Sequence, residues 1–81
     1  MFVEKQTIQF TNTHGTTVLE IGERYDLDVA EFNGDVFPIS DVKVVSDSEE
    51  RLYLEDNEGV GFPILKELIV HETKIDWLEW F

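Results

Sequence analysis

The 81-residue chain contains no cysteine, which excludes disulfide scaffolds, thiolate metal sites and cysteine nucleophiles. Basic residues are few: six Lys and Arg against eighteen Asp and Glu leave a formal charge of −12. That balance disfavours a phosphate-binding footprint and adsorption to anionic lipid. The five glycines are all isolated, so no Gly-rich loop is present to cradle a phosphate. No apolar run approaches the length of about 20 residues that crosses a bilayer. Met1-Phe2-Val3-Glu4-Lys5 lacks the basic-then-apolar pattern of a signal peptide. A cytoplasmic, reducing location is the expectation.

What is present is enough for one core. Apolar residues make up 42% of the chain and ten are aromatic, an ordinary globular share that argues against disorder despite the charge. Residues 1–81 are read as a single acidic β domain with an aromatic C-terminal segment, 74–81. At this length only about 60–65% of the unfolded surface is buried, so stability is marginal.

The punctuation is that of short strands. Thr7-Ile8-Gln9-Phe10 alternates and is followed by the turn cluster Thr11-Asn12-Thr13-His14-Gly15. Thr16-Thr17-Val18-Leu19-Glu20-Ile21 is β-branched and strand-like. The next run sets Tyr25, Leu27 and Val29 on one face and Arg24, Asp26 and Asp28 on the other, the period of a half-buried strand. Asn33-Gly34 predicts a type I′ hairpin turn. Pro38 argues for an edge or a bend. Val42-Lys43-Val44-Val45 and Arg51-Leu52-Tyr53-Leu54 read as strands around the polar loop Ser46-Asp47-Ser48-Glu49-Glu50. Asp56-Asn57-Glu58-Gly59 makes a turn, and Pro63-Ile64-Leu65-Lys66-Glu67-Leu68 predicts one helical turn with proline at its start. Ile69-Val70-His71 returns to strand character.

The expected fold is mainly β: a small barrel or sandwich of five to seven short strands with one short helical turn. The Tyr-Leu strand, the Asn-Gly hairpin, the Glu-Asp-Asn-Glu-Gly turn, and the strand and helical turn after it span residues 22–70. In that order they resemble the small SH3-like barrels of bacterial and phage proteins. The resemblance implies fold alone, because such barrels host many functions.

The acids are the first candidate site. Asp47, Glu49, Glu50, Glu55, Asp56 and Glu58 fall within twelve residues. If the strands on either side of 46–50 pair as a hairpin, the acids form two patches at its opposite ends. Asp26 and Asp28 project from one strand face about 6.5–7 Å apart. A charge run ordinarily marks a solvated face, but here the imbalance covers the whole chain. A globule about 30 Å across matches a length of duplex carrying roughly 18 phosphates, about half facing any one partner. In size and charge the chain is similar to phage-encoded DNA-mimic inhibitors. An EF-hand reading of Asp47 to Glu58 fails, because Arg51 and Leu52 stand where a ligand and a glycine are required.

Catalytic groups are sparse. His14 and His71 are isolated, and no serine has a nucleophile context. The second candidate is the tail, where Trp77, Leu78, Trp80 and Phe81 crowd together as a core plug, or as a docking or homodimer contact. The sequence therefore predicts a non-enzymatic acidic binding protein with no cofactor and no metal. Its expected role is a DNA mimic that inhibits a basic DNA-binding protein, a histone-like nucleoid protein or a polymerase. The alternative is an SH3-like assembly module docking through its aromatic tail.

Overall fold

A computed structural model describes residues 6–75. Seven strands follow in order: β1 (Thr7–Asn12), β2 (Gly15–Glu20), β3 (Arg24–Ala30), β4 (Val36–Asp47), β5 (Arg51–Glu55), β6 (Gly61–Leu65) and β7 (Ile69–Lys74). A single 3₁₀ turn, Lys66–Leu68, links the last two. The mainly-β expectation holds, with every pairing antiparallel.

Period-two patterning sets which side of each strand is buried. In β3, Tyr25, Leu27 and Val29 are buried between outward-facing Arg24, Asp26 and Asp28. In β5, Leu52 and Leu54 are buried between exposed Arg51 and Tyr53. The strands form two sheets: the hairpin β1-β2, and a five-stranded sheet in the order β6-β5-β4-β3-β7. Ile8 and Leu19, paired across the hairpin, join Leu27, Val42, Val44, Leu52, Leu54 and Ile69 in one core. The hairpin thus lids the larger sheet. Burying each such side chain is worth about 1.5–3 kcal/mol.

Two local expectations are corrected. The β3–β4 connection is not a type I′ turn, which needs positive φ at both central residues. Among the described non-glycine residues only Asp41 has positive φ. Instead, the Gly34 N–H donates to the Glu31 carbonyl (2.9 Å) and the Glu31 N–H to the Asp35 carbonyl (2.7 Å). Gly34 at φ 95° closes a three-residue loop with a glycine bulge. The β5–β6 turn repeats the pattern, with Gly59 N–H on the Asp56 carbonyl (3.1 Å) and Asp56 N–H on the Val60 carbonyl (3.0 Å). The second correction concerns Pro63. It lies inside edge strand β6 opposite Tyr53, not at the head of a helical turn; an edge strand has one side where no N–H is needed. Pro38 likewise lies in the part of β4 that pairs only with β3, as expected of an edge.

β4 is bent by a bulge. Tyr25 faces Val42 and Leu27 faces Ile39, so Ser40 and Asp41 together oppose Asp26. Asp41 adopts φ 54°, a conformation that costs a non-glycine residue roughly 1–2 kcal/mol. Its N–H donates to Asp26 Oδ1 (2.9 Å), and its Oδ1 accepts the Arg24 Nε–H (2.6 Å). Asp41→Ala keeps the backbone cost and loses the half-buried ion pair. Thermal melts should show a loss of about 1–2 kcal/mol. Asp41→Gly, which removes the backbone cost, should lose less.

Candidate functional site

The expected loop 46–50 is shorter, because Ser46 and Asp47 pair with β5 at the end of β4; the 48–50 loop and the 3₁₀ turn form one end of a cleft of about 530 Å³ walled on its other side by Phe10 to Thr13. Three hydrogen bonds to backbone carbonyls fix it. The Lys66 N–H donates to the Glu50 carbonyl (2.8 Å). The Asn12 side-chain amide donates to the carbonyls of Lys66 and Ile69, both at 2.8 Å. The hairpin, the loop and the 3₁₀ turn are thereby tied at one point. Glu49, Glu50 and Glu67 are exposed on the rim. Lys66, whose side chain is only 15% exposed, pairs with Asp47 (2.7 Å) and lies 5.7 Å from the centroid of the Phe10 ring. The cation is turned inward and the carboxylates outward.

The second acidic patch lies at the other end of β5, as the hairpin pairing of β4 with β5 requires. Asp56 Oδ1 accepts the N–H groups of Glu58 and Val60, both at 2.9 Å. Glu58 is exposed, while Glu55 is half-buried opposite Lys43. Asp26 and Asp28 share the outer face of β3, Asp26 opposite Thr73 and Asp28 between His71 and Pro38.

The eight acids singled out in the sequence therefore divide by role. Asp26 holds the β4 bulge, Asp47 holds Lys66, and Asp56 shapes its turn. Glu49, Glu50 and Glu58 are exposed on loops, and Asp28 and Glu55 are half-buried on strands. Glu67 is the residue that sequence reasoning missed. It reaches the Glu49–Glu50 rim only because the 3₁₀ turn docks on the Glu50 carbonyl, a long-range contact with no local signature. Trp77, Trp80 and Phe81 lie outside the described residues.

Two more cations are ion-paired, Arg24 half-buried and Lys74 exposed. Arg24 pairs with Asp41 (2.6 Å), and Lys74 with Glu20 (3.2 Å). Three of the five described bases are thus held against the body's own carboxylates. No group of three or more His, Asp or Glu side chains among the described residues could hold a metal ion. No described helix is long and apolar enough to cross a membrane.

A separate groove of about 570 Å³ opens between the tip of the β3–β4 hairpin and the β6–3₁₀ segment. Its walls are apolar, including Ala30, Phe37, Pro63 and Leu68, and Phe32 stands on its rim 85% exposed. In comparison with known proteins, the chain matches no family model, and no curated protein or solved structure matches it.

Proposed function

We propose that this protein is a non-enzymatic acidic binding protein, acting in the cytoplasm, that occupies the basic nucleic-acid-binding site of another protein and inhibits it. A histone-like nucleoid protein or a polymerase is the kind of target such a surface fits. The observation that carries this reading is the sorting of charge. A net −12 resides on a body whose described ion pairs hold Arg24, Lys66 and Lys74 against its own carboxylates, while Glu49, Glu50, Glu58 and Glu67 are presented outward. Loops pinned by backbone hydrogen bonds present those carboxylates with little ordering cost on binding.

Magnitude supports the same reading. The molecule's principal extents are 45 × 27 × 24 Å. A duplex carries one charge per about 1.7 Å of axis, of which about half faces one partner. Over 45 Å that is about 13 phosphates, comparable with the formal charge. The connectivity of the larger sheet is the meander β3-β4-β5-β6, one 3₁₀ turn, then β7 returning to pair with β3. Capture on the immobilised protein tests the proposal. Basic nucleic-acid-binding proteins should be retained at low salt and released as the Debye length falls to about 3 Å near 1 M salt. Retention of no basic protein at low salt would contradict it.

A further inference from the structure

We infer that Asn33 is the site of spontaneous deamidation in this chain, and that the hydrogen bond from the Gly34 N–H to the Glu31 carbonyl gates the reaction. The chain has three asparagines, Asn12, Asn33 and Asn57, and of these Asn33 alone precedes a glycine. Glycine carries no side chain to shield its nitrogen from the preceding carboxamide. Asn57 precedes Glu58, and Asn12 precedes the β-branched Thr13. The Asn12 amide nitrogen is moreover held by the carbonyls of Lys66 and Ile69, both at 2.8 Å. Asn33 is exposed at the tip of the β3–β4 hairpin.

The step is an intramolecular acyl transfer followed by hydrolysis. The Gly34 nitrogen, once its proton has passed to solvent base, attacks Asn33 Cγ. A C–N bond forms, the Cγ–Nδ2 bond breaks, and ammonia leaves carrying a proton from solvent. Water then opens the cyclic imide at either carbonyl, giving aspartate or isoaspartate. The closed loop restrains both reacting groups. The Gly34 N–H donates to the Glu31 carbonyl (2.9 Å), and an N–H held on a carbonyl, which is no base, keeps its proton. Asp35 holds the carboxamide at both atoms: Asn33 Oδ1 accepts the Asp35 N–H (3.0 Å) and Nδ2 donates to Asp35 Oδ2 (3.2 Å). Attack therefore waits for the loop to open, and a hairpin tip opens at less cost than the whole fold.

The β5–β6 turn is an internal control. It has the same pair of closing bonds, Gly59 N–H on the Asp56 carbonyl and Asp56 N–H on the Val60 carbonyl, and Gly59 has φ 86° against 95° at Gly34. The residue before the glycine is Glu58 in that turn and Asn33 in this one. Conversion to aspartate thus sets a carboxylate where the sister turn already carries one, adding one negative charge to the −12 beside Glu31 and Asp35. Isoaspartate instead inserts a methylene into the main chain between Glu31 and Asp35, whose bond of 2.7 Å closes the loop, so that product should loosen the hairpin tip. No partner takes part, so this inference and the proposed inhibition fail separately.

Incubating the full chain at mildly alkaline pH, folded in buffer and unfolded in guanidinium chloride, tests the inference. Conversion at each asparagine is read by mass spectrometry of proteolytic digests. In the unfolded chain Asn33 should convert faster than Asn12 and Asn57. Folding should slow it at least about tenfold, and the slowing should match, within about threefold, the hydrogen-exchange protection of the Gly34 amide, because one opening frees both. Glu58→Asn, which repeats the Asn-Gly pair in the sister turn, should make position 58 convert as readily as Asn33 in the unfolded chain and be slowed in the folded one. Faster conversion at Asn12 or Asn57, equal rates at Asn33 in the folded and unfolded chains, or a slowing that does not follow Gly34 protection would each overturn the inference. So would a Glu58→Asn chain whose position 58 stays unconverted when unfolded. If that variant fails to fold, the wild-type rates and the Gly34 protection decide alone.

Discussion

Reversing Glu49, Glu50 and Glu67 to lysine is expected to slow association with a basic nucleic-acid-binding partner by about 100-fold at low salt, because steering by complementary charge accounts for roughly that much of an on-rate. The net charge would fall from −12 to −6. The fold should be nearly indifferent. All three side chains are exposed, and the structural contact made by Glu50 goes through its backbone carbonyl, which the substitution keeps. Stopped-flow association rates and a thermal melt on the same samples separate the two effects. The same experiment at Asp26, Asp47 or Asp56 would confound them, since each holds a bulge, a lysine or a turn. Equal slowing by a matched reversal at Glu31, Asp35 and Glu72 would mean that the partner responds to net charge and not to this rim.

Asn12→Ala should be the most damaging single polar substitution among the described residues. Its amide donates to two carbonyls, those of Lys66 and Ile69, across more than fifty residues of sequence. The Lys66 carbonyl keeps the Ile69 N–H that closes the 3₁₀ turn, so the loss is that of the two Asn12 bonds. Losing two part-buried hydrogen bonds costs about 2–3 kcal/mol. For a domain stable by about 5–15 kcal/mol, the midpoint should fall by roughly 10–25 °C. Asn12→Asp should be worse despite its shape. It retains the contact in which Asn12 Oδ1 accepts the His14 N–H (2.8 Å), but it aims a carboxylate oxygen at two carbonyls. A midpoint unchanged in both variants would mean that the hairpin is held by its apolar face alone.

These two positions also mark what was legible in the sequence. Strands β3 and β5 could be read directly, because buried and outward residues alternate from Arg24 to Val29 and from Arg51 to Glu55. The loops at either end of β5 were legible for the same reason: once the hairpin partners were known, the acids had to separate. Strand β6 was not. Gly61-Phe62-Pro63-Ile64-Leu65 has no clean alternation, and its proline reads as a helix start until the edge position removes the need for its N–H. The Asn33-Gly34 signal located the hairpin but not its geometry, since the loop uses positive φ at Gly34 alone.

The site was less legible than the fold. A list of acids in sequence order cannot tell a carboxylate that holds a backbone N–H from one that faces solvent, because both have the same residue type and the same local charge. Asp41 illustrates the point: it was invisible as a candidate, yet it organises Arg24 and Asp26 around the bulge. Asn12 is similar. It sits in a run of turn residues, and only the docking of the 3₁₀ turn makes its amide a clasp. Long-range contacts decide both roles.

Displacement of DNA from a basic protein tests DNA mimicry by this protein directly. A histone-like nucleoid protein is bound to duplex DNA in a gel shift at low salt, and this protein is titrated in. Free duplex should be released near stoichiometric addition, reversed as salt rises, with the Glu49, Glu50 and Glu67 reversal variant unable to compete. DNA that stays bound at a large excess, together with no basic protein recovered from a lysate at low salt, would contradict it.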